Sequence, residues 1–218
     1  MKKYLLLVPI LILVLASLSW ADLYSDTRTS IYGIFANDGW ADGNFSITWE
    51  INNVGGSLPW EYNYTIYAAG LTGGQAISHW IFEVSNVSTA RYLFPEDLVV
   101  EGPKTWVPGT GNPYMPGDLF GIKFDELSGN PNSFTFYSTQ PPMWGDFYAK
   151  DGNNPVSAEP FDKVIAYNIG FGTDPTGNDY TNWIAVPDTV TVPEPGILIL
   201  LGIAMTAIGV ASRYVRKI

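Results

Sequence analysis

Phe45-Ser-Ile47-Thr-Trp49-Glu-Ile51 alternates apolar and polar residues without a break, and Trp60-Glu-Tyr62-Asn-Tyr64-Thr-Ile66 does so again. Successive side chains of a β-strand point to opposite faces, so each stretch reads as a strand with one face buried and one in water. Between them lies Asn52-Asn-Val-Gly-Gly-Ser57, a turn-rich connection short enough for a hairpin. The two strands are therefore expected to pair antiparallel and to seed a sheet.

Working outward, the same reasoning predicts strands over 30–35, 79–87, 118–125, 133–138, 145–150 and 163–171, about eight in all. Gly, Asn, Asp and Pro clusters separate them, and no amphipathic helix interrupts the series. The pattern predicts an all-β fold, an antiparallel β-sandwich, with immunoglobulin-like and jelly-roll topologies both open. Residues 95–117 hold five prolines and four glycines, too many breakers for strand or helix, and read as a long loop. Trp106, Tyr114 and Met115 lie in it, either pinned under the loop or exposed for stacking on a sugar ring.

The two ends of the chain follow other rules. Met1-Lys2-Lys3 is followed by an apolar run from Tyr4 to Leu15 and by Ser19-Trp20-Ala21, the pattern of a signal peptide over 1–21 cut by signal peptidase after Ala21. Val192-Pro193-Glu194-Pro195 precedes an uncharged apolar run from Gly196 to Ser212 that reaches ~25 Å as a helix, enough to cross a bilayer over 196–214 with its ends snorkelling. Arg213, Arg216 and Lys217 form a basic stop that stays cytoplasmic and leaves the preceding residues outside. Pro193 and Pro195 lack amide donors and keep the chain extended up to the helix, the form a protease threads.

This tail, over 192–218, resembles the PEP-CTERM sorting signal of Gram-negative bacteria. The resemblance implies that an exosortase, a membrane-embedded cysteine protease, recognises Pro193, Glu194 and Pro195, removes the helix and releases or transfers the ectodomain. It implies an inner-membrane-anchored precursor facing the periplasm, then a mature protein at the cell surface or in the extracellular matrix, in company with exopolysaccharide and biofilm. The stretch from Pro142 to Gly152, with Ala166 to Phe171 after it, resembles a block shared by some PEP-CTERM ectodomains. By its own pattern that block is two late strands, with Trp144, Phe147 and Phe171 in the core.

The predicted ectodomain, 22–191, is long enough for one domain with a sizeable core. It carries six of the 11 Lys and Arg and 20 of the 21 Asp and Glu, hence a balance of −14. Such a surface repels nucleic acid and anionic membranes. With no cysteine in the chain, neither a disulfide nor a catalytic thiol is available, and a large aromatic core must hold the fold.

Catalytic patterns are thin. His79, the single histidine, has no nucleophile elbow near it, and a lone His without Cys falls short of a zinc set. A glycosidase needs only two carboxyls, for which Glu50, Glu61 and Glu83 are candidates, each placed by alternation on the polar face of a strand. Calcium is the best-supported cofactor candidate: Asp38 and Asp42 sit in one loop of oxygen donors, Asp174 and Asp179 in another, although turn chemistry selects the same residues. The expectation is a non-enzymatic structural surface protein without a cofactor; the alternative is a carbohydrate-binding or polysaccharide-hydrolysing domain, with Ca dependence open.

Overall fold

The computed structural model describes residues 24–69, 77–127, 131–152, 163–176 and 179–188. The expected signal peptide, the sorting motif, the basic stop and the helix at 196–214 lie outside the described residues, among which no helix is long and apolar enough to cross a membrane.

Among the described residues the chain forms β1 (Ser25–Thr29), β2 (Ile34–Ala36), β3 (Phe45–Asn53), β4 (Trp60–Ala68), β5 (Ile77–Glu83), β6 (Tyr92–Leu93) and β7 (Val99–Trp106). It continues through β8 (Leu119–Leu127), β9 (Asn132–Ser138), β10 (Pro142–Gly145), β11 (Phe147–Asp151), β12 (Ile165–Asn168) and β13 (Ile184–Pro187). One sheet runs β1-β3-β4-β9-β6, a second β2-β12-β11-β5-β8-β7, and β10 pairs with β13 apart from both. All pairings between these strands are antiparallel.

The hairpin expected from the alternation at 45–51 and 60–66 is in place. Strands β3 and β4 pair over nine positions, from Phe45 opposite Ala68 to Asn53 opposite Trp60. Their alternation sends Ile47, Trp49, Tyr62 and Tyr64 inward and Thr48, Glu50 and Thr65 outward. The inner faces of the two large sheets meet in an aromatic core: the Tyr64 ring stands edge-on to Trp80 at 5.1 Å, Phe82 stacks on Phe136 at 5.5 Å, and Phe124 lies 4.8 Å from Phe134. Ring pairs at such separations add to area burial, which suits a fold with no covalent cross-link.

Three expectations need correction. Residues 95–117 are not all loop, because Val99–Trp106 is strand β7, paired with β8 along one side only. Pro103 sits where the register shifts between Glu101 and Lys104, beside Gly102 at φ 104°, so the breakers fall in a bulge on a sheet edge, where a missing donor costs nothing. What remains of the segment lies on the outer face of the six-stranded sheet: Met115 is buried with Ile81, Tyr148 and Ile165, and the Tyr148 hydroxyl donates to the Pro113 carbonyl at 2.7 Å. Trp106 is tucked there as well, Nε1 donating to the Gly121 carbonyl at 3.0 Å, while Tyr114 is exposed.

The second correction concerns 145–150, which is not one strand. The chain changes sheets at Asp146, leaving β10 with β13 and continuing as β11 between β5 and β12. The third concerns 30–35: only Ile34–Ala36 is a strand there, preceded by a turn in which Tyr32 donates its amide to the Thr29 carbonyl at 2.8 Å.

Candidate functional site

Asp146, at the sheet change, organises one end of the molecule. Its amide donates to Glu83 Oε2 at 2.9 Å; its carboxylate accepts from Asn168 Nδ2 at 2.7 Å and from the Gly172 amide at 2.6 Å. Asn168 extends the hub, accepting from the Phe147 amide at 2.9 Å and donating to the Asn182 carbonyl at 3.0 Å. Nearby, the Ser85 hydroxyl donates to the buried Asp188 carboxylate. Gly145 makes the approach possible, since a Cβ there would lie 2.9 Å from Glu83 Oε2 and 2.4 Å from Val186 Cγ2.

Burial pushes Glu83 up to about 7, helped by the charge of Asp146 and further by Asp188 and Asp174. Burial likewise raises Asp146 to about 6 against the pull of the Gly172 and Asn168 bonds. Glu83 is thus not on a solvated face. Strand β5 is central in its sheet and covered on both sides, which alternation in a single segment does not reveal. Chemically, the hub is a pair of buried carboxyls with raised pKa values, in which Glu83 Oε2 accepts from a backbone amide and both Asp146 oxygens accept from amide donors.

Glu50 and Glu61 do lie outward. Asn63 and Tyr137 hydrogen-bond Glu61 and hold its carboxyl below the usual range. His79 is buried 5.8 Å from the Tyr148 ring; desolvation, then the charges of Lys150 and Lys123, lower it to about 4, so it is neutral near pH 7.

Turn geometry marks both loops of oxygen donors. Asp38 and Asp42 are exposed at φ 46° and 54°, the left-handed turn conformation that Asp tolerates. Their neighbour Asn37 is spent on the fold: its side chain accepts from the Ile165 amide at 2.7 Å and donates to the Lys163 carbonyl at 2.9 Å. Asp179 caps its own turn through the Thr181 amide at 3.1 Å and hydroxyl at 2.7 Å, and Asp174 is exposed beside the Asp146 hub. Among the described residues, no group of three or more His, Asp or Glu is placed to hold a metal.

The outer face of the five-stranded sheet carries ordered rows that single-strand reading misses. Thr27, Thr48, Thr65 and Ser133 stand side by side across β1, β3, β4 and β9, with hydroxyl pairs at 2.9 Å for Thr27–Thr48 and 2.8 Å for Thr65–Ser133. In the next row Thr135 donates to Asn63 at 2.6 Å. Only the registers, not the residue types, reveal that these groups form one surface.

Residues 191–217 match the model of the PEP-CTERM protein-sorting motif. No curated protein and no solved structure matches the chain.

Proposed function

We propose that this chain, an exported substrate of an exosortase by its C-terminal motif and membrane-anchored before processing, is a non-enzymatic structural protein of an exopolysaccharide-rich surface or matrix. In this reading the ectodomain is an acidic antiparallel β-sandwich. The observation that carries the reading is where its unusual carboxyls are spent: Glu83 and Asp146 tie strands β5, β11 and β12 together through backbone and amide bonds.

The decisive measurement on sorting is mass spectrometry of the mature C-terminus in cells that hold the exosortase. Loss of the apolar helix is expected, together with retention of the full chain on changing Glu194→Ala. A mature protein still ending at Ile218 overturns the processing.

A second reading, a carbohydrate-binding surface, draws support from the hydroxyl and amide rows on the five-stranded sheet, which offer donors and acceptors at the regular spacing of neighbouring strands. A glycan array run with and without Ca²⁺ separates the two. Absence of binding in both conditions and of released reducing ends leaves the structural role.

A further inference from the structure

We propose that, in the anchored precursor, the end of the five-stranded sheet formed by the 54–59 hairpin, the 84–91 loop and Leu93 rests on the headgroup layer of the bilayer. This rests on the reading of 196–214 as the anchor.

Reach comes first. Asp188, the last described residue, is fixed to the domain, its amide donating to the Pro141 carbonyl at 3.1 Å and its carboxylate accepting from Ser85. From Asp188 to Gly196 is eight residues, and at ~3.6 Å each the chain extends at most about 29 Å. The body of the domain is thereby held close to the membrane, and the chain leaves it between Pro141 and Ser85.

Those two residues belong to the same end as the hairpin. Thr139 donates its amide to the Arg91 carbonyl at 3.0 Å, and Tyr92 pairs with Ser138 opposite Trp60. Ser57 and Leu58 line a shallow recess of about 440 Å³ with Arg91, Tyr92 and Leu93.

Charge and polarity then select the surface. Anionic lipid repels an ectodomain of balance −14, yet residues 53–59, 84–91 and 139–141 contain no Asp or Glu and one base, Arg91, which is exposed. On the same end Val54, Val87 and Leu93 are 54%, 40% and 56% exposed. Apolar side chains around a single cation suit the boundary between headgroups and acyl chains. Exposed acids lie outside these three segments, Asp118 and Asp174 on the six-stranded side and Glu50, Glu96 and Asp97 on or beyond the strands of the five-stranded sheet.

The chain has no cysteine, so a single introduced thiol reports one place. Full-length precursor carrying V54C, V87C or N44C, each labelled with an environment-sensitive dye, is reconstituted into phosphatidylethanolamine–phosphatidylglycerol vesicles containing headgroup spin-labelled lipid. Asn44 is exposed at the far end of β3, a nine-residue strand about 30 Å long. Expected is several-fold stronger quenching at 54 and 87 than at 44, weakened when Arg91→Glu is added. Equal quenching at the three positions in precursor that floats with the vesicles overturns the orientation alone. Precursor that fails to float overturns the anchor and the orientation with it. Quenching at 54 and 87 that stays at the level of 44, with dye shifts at those positions only when exosortase is added, assigns the surface to the protease and overturns the lipid contact.

Discussion

Glu83 holds its proton to about 7 because desolvation and the charge of Asp146 both oppose ionisation. The folded state binds that proton more tightly than the unfolded chain, whose carboxyl titrates near 4.5. Its contribution to stability is complete below 4.5 and falls as pH rises through about 7, a loss of about 3 kcal/mol. His79 acts in the opposite direction: with its pKa lowered from 6.5 to about 4, its contribution is complete above 6.5 and lost as pH falls through 4. The two slopes oppose each other between 4.5 and 6.5. Glu83→Gln, which keeps a carbonyl oxygen for the Asp146 amide, is expected to leave stability near pH 4.5 unchanged and to raise it by about 1–3 kcal/mol at pH 8. Urea unfolding at the two pH values checks this, and an equal effect at both removes the burial argument. Alternation assigned Glu83 to water because it speaks for one strand at a time. Whether the other face is covered depends on Met115 and Leu119, more than 30 positions away in the chain.

At the scale of elements, strands that alternate were legible and strands that break were not. β3, β4 and β9 announce themselves because one face meets water. β13 is buried at all four positions and four residues long, so it lacks both period and length. β7 was hidden by Pro103, although an edge bulge is one of the few places where proline fits a sheet. Its partner β8 has a tighter requirement: a Cβ at Gly121 would lie 2.3 Å from the Phe82 carbonyl oxygen and 3.2 Å from Ile81 Cγ2. Gly121→Ala is expected to cost at least about 2 kcal/mol by forcing β8 from β5, measured as a lower denaturation midpoint. Asn37→Ala removes the two side-chain bonds that Asn37 makes to the Ile165 amide and the Lys163 carbonyl, keeps the backbone bond from the Asn37 amide to the Ile165 carbonyl, leaves the Ile165 amide without its acceptor, and is expected to cost about 2–3 kcal/mol. If calcium rather than Asn37 orders that loop, added Ca²⁺ restores the midpoint; no restoration is expected.

For the molecule as a whole, the sorting signal was legible and the surface was not. The tail is a contiguous signal of proline, apolar run and base, and the match over 191–217 falls on it. The hydroxyl rows and the acid-poor end arise from residues scattered between positions 27 and 141, which only the pairing registers bring together. The Tyr64 hydroxyl donates to the Ala185 carbonyl at 2.5 Å and so joins the last strand to the middle of the five-stranded sheet. Tyr64→Phe is expected to lower stability by about 1 kcal/mol and to speed hydrogen exchange in β13 more than in β3. Uniform acceleration in both strands speaks against a local tie.

That tie also has a mechanical meaning. Tension on the tail enters the domain through Asp188, passes to Pro141 and Ser85, and then meets a buried strand laddered to β10 and held by Tyr64. A pull at the junction therefore loads the β10–β13 ladder and the Tyr64 bond at the edge of the aromatic core.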